Sequence, residues 1–243
     1  MKKNQYTYVW VSLVILIFGI IFIPKIVDRV KTGTVVEHDR MNVMDNSEGL
    51  AFIINEKGHK RKVPSFEFIN QDSLVISNRD YKGKVYIVEF FFTSCPTICP
   101  IMTKNLVEIQ NELKDYENFG IASFTINPRY DTPRVLKEYA EHYGITNLDW
   151  HLMTGEQETI YDLANTGFYI FANEVPSAPG GFEHSGMFAL VDKNGFIRSR
   201  VDKFGNPIIY YRGTITREQG ENEEGEKQQI DILLEDIKKL LEE

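Results

Sequence analysis

Eight consecutive residues, Val85-Tyr86-Ile87-Val88-Glu89-Phe90-Phe91-Phe92, are β-branched or aromatic except for Glu89, and Cys95 follows three positions later. A run without polar alternation reads as a strand covered on both faces, the situation of a central strand in a helix-flanked sheet. The aromatic residues at 90–92 are read as core. A chain that must bury such a strand has to supply helices on either side and neighbouring strands, which restricts it to layered α/β architectures.

The rest of the soluble part supplies them. Short strands are expected at Ala51–Asn55 and Lys62–Phe68, paired as a hairpin around Glu56-Lys57-Gly58, and at Leu74–Ser77. A helical pattern follows the cysteines to about Tyr116, with Leu106, Ile109 and Leu113 as its apolar stripe, and Ile121–Ile126 reads as the next buried strand. Asp131-Thr132-Pro133 opens another helix, with Thr132 as cap and Pro133 in the first position, and Gly144 ends it. A strand at Trp150–Met153, a short helix from Glu156 to Asn165 and a loop from Ala172 to Glu183 come next. Gly186–Val191 and Phe196–Val201 form a hairpin closed by Asp192-Lys193-Asn194-Gly195, and an amphipathic helix runs from about Lys227 to Leu241. The expected fold is α/β, a thioredoxin-like mixed sheet flanked by helices.

Three segments are expected: an N-terminal membrane anchor over residues 1–24, a juxtamembrane stalk over 25–48 and a folded domain over 49–243. The anchor rests on the apolar stretch from Tyr6 to Ile23, about 27 Å as a helix against a hydrocarbon core of roughly 30 Å. Tyr6, Tyr8 and Trp10 suit the interfacial belt, and no small-residue cleavage site follows Ile23, so the reading is an uncleaved transmembrane helix. Lys2 and Lys3 face Lys25, Arg29 and Lys31 across the span, leaving orientation nearly balanced by charge. The segment is too short and too poor in Arg for a mitochondrial transit peptide, which favours a bacterial inner membrane.

A net charge of −8 argues against a nucleic-acid partner. Much of it sits in residues 218–226, with five Glu and no Lys or Arg, read as a solvated acidic linker before the last helix.

The chain has two cysteines, Cys95 and Cys99. A disulfide across so small a loop adds only about 2 kcal/mol on the chain-entropy model, so a functional pair is the better reading. Both stand beyond the strand, at or in the first turn of a helix, where residues four apart face the same side and free amides favour thiolate. Converging thiols suit reversible disulfide chemistry or a soft metal. A structural zinc site wants four ligands and no third cysteine exists, whereas copper(I) accepts two or three. Of five histidines, His38 and His59 lie in the stalk and a turn, His142 ends a helix and His151 sits beside Trp150. His184 follows the Gly-rich stretch Pro179-Gly180-Gly181-Phe182-Glu183 at the start of a strand, on a loop able to reach the cysteines. Taken alone, a histidine so placed is more often a solvent-exposed loop residue than a ligand. Glu183 beside it is read as a solvated carboxylate rather than a brace for the imidazole.

The segment Phe90-Phe91-Phe92-Thr93-Ser94-Cys95-Pro96-Thr97-Ile98-Cys99-Pro100 resembles the metal-binding motif of the Sco/SenC family of copper chaperones. Ser123-Phe124-Thr125-Ile126-Asn127-Pro128-Arg129-Tyr130-Asp131-Thr132-Pro133 resembles that family's second signature, continued by Leu136-Lys137-Glu138-Tyr139-Ala140, and His184 stands 85 residues after Cys99. The resemblance runs from about Val63 to Val201 plus the final helix. It departs from the family at Ser94, Asn127 and Tyr130, and residues 206–226 resemble an insertion. It implies one copper ion, Cu(I) or Cu(II), held by Cys95, Cys99 and His184. It also implies a soluble domain facing the periplasm, and copper delivery to the CuA centre of cytochrome c oxidase subunit II or reduction of that centre's cysteines.

The main alternative is a membrane-anchored thiol–disulfide oxidoreductase, in which Cys95 and Cys99 are the redox-active residues and His184 is dispensable. A peroxidase of the Thr-x-x-Cys sort does not fit, because Thr93 lies only two residues before Cys95. A purely structural tethered domain leaves the cysteine pair without a purpose.

Overall fold

The structure, a computed structural model, describes residues 7–31, 49–55, 57–202 and 205–243. The chain divides into two units, residues 1–43 and 44–243.

The first unit is described over helix α1 (Thr7–Lys31), which contains Pro24. Its apolar side chains between Trp10 and Ile23 are largely exposed. Among the described residues no helix is long and apolar enough to cross a membrane, so the span expected over 1–24 is not met there. The helix runs on to Lys31, into the segment expected to be a stalk. The remainder of that stalk, 32–48, lies outside the described residues, and His38 with it.

The second unit is built on a mixed nine-stranded sheet. In chain order its strands are β1 (Ala51–Phe52), β2 (Glu67–Asn70), β3 (Val75–Ser77), β4 (Val85–Phe91), β5 (Phe119–Thr125), β6 (Trp150–Thr154), β9 (Met187–Val191), β10 (Ile197–Ser199) and β11 (Tyr211–Arg212). The strands β7 (Ala172–Glu174) and β8 (Phe182–His184) form a separate antiparallel ribbon. The main sheet runs β1-β10-β9-β4-β5-β6-β2-β3, with β11 added to β9. β4, β5 and β6 are parallel, and the outer pairs are antiparallel. Every residue of β4 and β5 is buried, as the unbroken apolar run requires. The helices are α2 (Cys99–Glu112), α3 (Pro133–Tyr143), α4 (Gln157–Asp162) and α5 (Ile230–Glu242).

Local signals act as expected where they are chemically explicit. Thr132 caps α3 by accepting from the Val135 amide, Pro133 opens it, and Gly144 closes it in the left-handed region at φ 73°. Asp192 Oδ1 accepts the amides of Asn194 and Phe196, and Gly195 turns the β9–β10 hairpin at φ 81°.

Three expectations change. The hairpin proposed for Ala51–Asn55 and Lys62–Phe68 survives only as a turn with an Ile54–Lys60 bridge; Glu56 in that turn lies outside the described residues. Instead β1 pairs with β10, and Lys62 bridges Phe196, because the long-range sheet edge offers more partners than a two-strand ribbon does. The helix α4 passes into a π-helical turn, Leu163–Phe168, ending at Tyr169 with φ 51°. The loop expected at 172–183 is the β7–β8 ribbon with a 3₁₀ turn at Pro179–Gly181.

In the acidic stretch 218–226, Glu218, Glu221, Glu223 and Glu224 are exposed, while Glu226 is tied to Arg212. Residues 206–226 fold back onto the domain: Tyr211 pairs with Phe188, Asn105 on α2 donates to the carbonyls of Gly213 and Ile215, and Arg212 meets Glu226 at 2.5 Å. Arg217 joins Glu112 of α2 to Asp231 of α5.

Candidate metal centre

Strand β4 ends at Phe91 and the chain turns out of the sheet, with the Cys95 amide donating to the Phe92 carbonyl at 3.2 Å. Cys95 lies in this loop. Cys99 is the first residue of α2, with Pro100 in the first turn, where its missing N–H costs nothing. The helix thus begins at the second cysteine, not around both, and the loop rather than helical periodicity brings the first sulfur back to it. His184 is the last residue of β8, paired with Ala172 of β7.

These three side chains meet. Cys95 Sγ, Cys99 Sγ and a ring nitrogen of His184 all lie within 4.8 Å of one another. Cys99 Sγ is 3.2 Å from His184 Nε2, and Cys95 Sγ is 3.6 Å from Thr97 Oγ1. The other ring nitrogen, Nδ1, stands 3.4 Å from the Ser185 carbonyl, which orients the imidazole with Nε2 toward the sulfurs. Phe92 meets the ring edge-on at 6.0 Å, and Phe182 packs on Phe92. All three residues are buried, and both cysteines are free thiols.

Cys95 and Cys99 behave as one acid. Cys99 donates to Cys95, and this bond, helped by His184 and by the amides of Cys99 and Thr97, pulls the Cys95 thiol down to about 3 against the opposing effect of burial. Burial pushes the Cys99 thiol up, and the Cys95 thiolate beside it adds to the rise. The helix N-terminus therefore acts on Cys95 through the Cys99 amide, rather than on the cysteine the helix carries.

The remaining histidines are elsewhere. His151 is half-buried, hydrogen-bonded to Asn70 at 3.2 Å and edge-on to Tyr81, and burial lowers its pKa. His142 packs against Tyr143, and His59 is exposed in the turn after β1. Glu183 is exposed and pairs across the ribbon with Asn173; the Ser185 carbonyl is what braces the imidazole.

Two buried carboxyl groups near the site were not singled out from the sequence. Asp131, fully buried, accepts the Thr93 amide at 3.1 Å and the hydroxyls of Thr93 and Thr125. Burial raises its pKa, opposed by those hydrogen bonds. Glu89, within β4, accepts from Ser123 Oγ at 2.6 Å on one oxygen, and its other oxygen has no partner among the described residues. The legible signal for Glu89 was its being the one charge in an otherwise apolar run.

Two thiolate sulfurs and an imidazole nitrogen fit a soft or borderline ion, and three donors are one short of a structural zinc site. Among the described residues this is the one cluster of three such donors. Between the cysteine loop and the ribbon lies a groove of about 350 Å³, lined by Phe92, Thr97, Ile98, Val175, Phe182 and Glu183, so the cluster is open to a partner from one side.

Comparison with known proteins gives the same picture. The chain is 35% identical over 137 residues to the SCO1 protein homolog of Bacillus subtilis, covering 55% of this chain and 70% of that protein. It is 28% identical over 145 residues to a putative copper-binding protein of Stutzerimonas stutzeri, covering 58% of this chain and 70% of the other. Among solved structures, a SCO1/SenC family lipoprotein from Bacillus anthracis superposes with a TM-score of 0.60 at 26% identity, covering 74% of this chain and 95% of that one. BsSco, described as carrying a disulfide switch and as a member of the Sco family of cytochrome c oxidase assembly proteins, gives 0.59 at 28% identity, covering 74% and 94%. The SCO1/SenC family model matches residues 54–216, a span that holds both cysteines, the histidine and the whole of the parallel core, and the chain belongs to that family.

Proposed function

We propose that this chain is a copper chaperone that carries one copper ion on Cys95, Cys99 and His184 and hands it to the CuA centre on subunit II of cytochrome c oxidase. The single observation that carries the reading is the convergence of two sulfurs and one imidazole nitrogen within 4.8 Å. The donor set suits copper(I), and the imidazole keeps copper(II) accessible. A relative described as a putative copper-binding protein and a structural neighbour described as a cytochrome c oxidase assembly protein support the cargo and the destination. Copper is cargo in this reading. Cys95, already ionised, offers the first bond, Cys99 gives up its proton as the second forms, and His184 closes the set from the ribbon. Release runs the same sequence backwards into acceptor thiolates entering along the groove.

Helix α1, with its apolar side chains uncovered between Trp10 and Ile23, supports a membrane tether. The tether holds the domain on the periplasmic face of a bacterial inner membrane, where the acceptor lies within reach.

A second reading, a thiol–disulfide oxidoreductase acting on partner cysteines, is favoured by the same free, adjacent thiols and by the disulfide switch described for BsSco. Copper(I) titration of the full chain in detergent, reduced and oxidised, separates the two. The chaperone reading expects one equivalent bound by the reduced protein and none by the oxidised, and loss of at least about tenfold in affinity (about 1.4 kcal/mol) in His184→Ala. Equal binding in both redox forms would remove the sulfurs from the site. A His184→Ala variant that holds copper as well as the parent would leave the oxidoreductase.

A further inference from the structure

Of the three donors, Cys99 is carried by α2 and His184 by the β7–β8 ribbon, whereas Cys95 sits in a loop outside regular secondary structure. What fixes that loop is a buried carboxylate from another connection. Thr93 is held at two atoms, its amide at 3.1 Å from Asp131 Oδ2 and its hydroxyl on Oδ1, so the position and the orientation of the residue are both set. Only Ser94 separates Thr93 from Cys95, and one residue spans no more than about 3.6 Å, so little freedom is left to the sulfur. Asp131 is itself immobilised. Its amide donates to Asn127 O at 3.0 Å, its Oδ2 also accepts the Thr125 hydroxyl at the end of β5, and the next residue, Thr132, caps α3. The Thr125 oxygen in turn accepts the Asn127 amide at 3.0 Å.

We propose that Asp131 is a positioning residue for the metal centre: its carboxylate ties the exits of β4 and β5 to the start of α3 and so places the Cys95 sulfur beside Cys99 and His184. The assignment rests on the copper reading and deepens it. Asn at 131 keeps the size but turns an amide nitrogen toward a site of donors. Val at 93 keeps the shape of Thr and loses the hydroxyl, and Ser keeps the hydroxyl.

The test compares full-length wild type, Asp131→Asn, Thr93→Val and Thr93→Ser in detergent by two readouts, copper(I) competition against a chelator of known affinity and alkylation rate of Cys95 in the metal-free reduced protein. Asp131→Asn and Thr93→Val are expected to weaken copper(I) retention by about tenfold or more, the scale set by residues that orient metal ligands, and to change the Cys95 alkylation rate. Thr93→Ser is expected to stay within about twofold of wild type on both. Folded Asp131→Asn and Thr93→Val proteins with wild-type affinity and alkylation rates overturn the assignment, even if their melting temperatures fall. If Asp131→Asn does not fold, Thr93→Val decides alone by the same criterion. If wild type binds no copper, the copper reading fails, and the alkylation rates still judge the clamp: unchanged rates in the variants overturn it.

Discussion

Glu89 shows what a single misplaced charge does inside a parallel core. Burial pushes its carboxyl from the ordinary 4.5 up to about 7, with the Ser123 hydroxyl opposing the rise. Below about pH 4.5 the group is protonated in both the folded and the unfolded chain, and it makes no difference to stability. Between about 4.5 and 7 the unfolded chain releases the proton while the folded chain keeps it, so stability falls as pH rises. Above about 7 the loss is complete, on the order of 3 kcal/mol from the shift. Glu89→Gln abolishes this titration, so urea unfolding of the metal-free protein across pH 5 to 8 is expected to show a flatter profile than the parent. Slope, not absolute stability, is the readout, because the new amide nitrogen also lacks a partner. Parallel pH profiles would contradict the assignment.

At the scale of elements, legibility in the sequence followed the range of the interactions. The Thr132, Pro133 and Gly144 boundaries of α3 and the Asp192–Gly195 turn each depend on a few adjacent residues, and they stand where the residues put them. The β1–β10 pairing joins segments almost 150 positions apart and has no local signature. The same holds for β11, two residues long, which no periodicity could announce. At the metal centre the meeting of the cysteines was expected from helical spacing but is made by the loop that precedes α2, and His184 was legible only through resemblance, since a ribbon with its own register delivers it. Asp131 was legible only as the residue before a helix cap. The fold-back of β11 is close-packed: the Gly213 amide donates to Gly186 O at 2.8 Å, and a Cβ at Gly213 would come 2.4 Å from the Phe188 ring. Gly213→Ala is therefore expected to cost about 1–3 kcal/mol in urea unfolding through overpacking. An unchanged midpoint would mean that residues 206–226 are loosely attached after all.

At the scale of the molecule, the core and the donor cluster belong wholly to residues 44–243, and α1 belongs to the other unit. A chain starting at Met44 is expected to melt within about 2 °C of the full chain and to bind the same equivalent of copper, measured by calorimetry and titration. A lower, broadened transition would show that the two units depend on each other. The donors themselves come from distant parts of this unit, Cys95 and Cys99 from the edge of the parallel core and His184 from a ribbon 85 residues further along the chain. A half-made polypeptide can offer an ion the two sulfurs but not the ring nitrogen. Full-strength uptake thus waits until the last of these segments has docked, and an ion held by all three favours the finished fold over any unravelled one by mass action. Loading becomes a certificate of maturity: a protein that has not finished folding holds an ion only weakly.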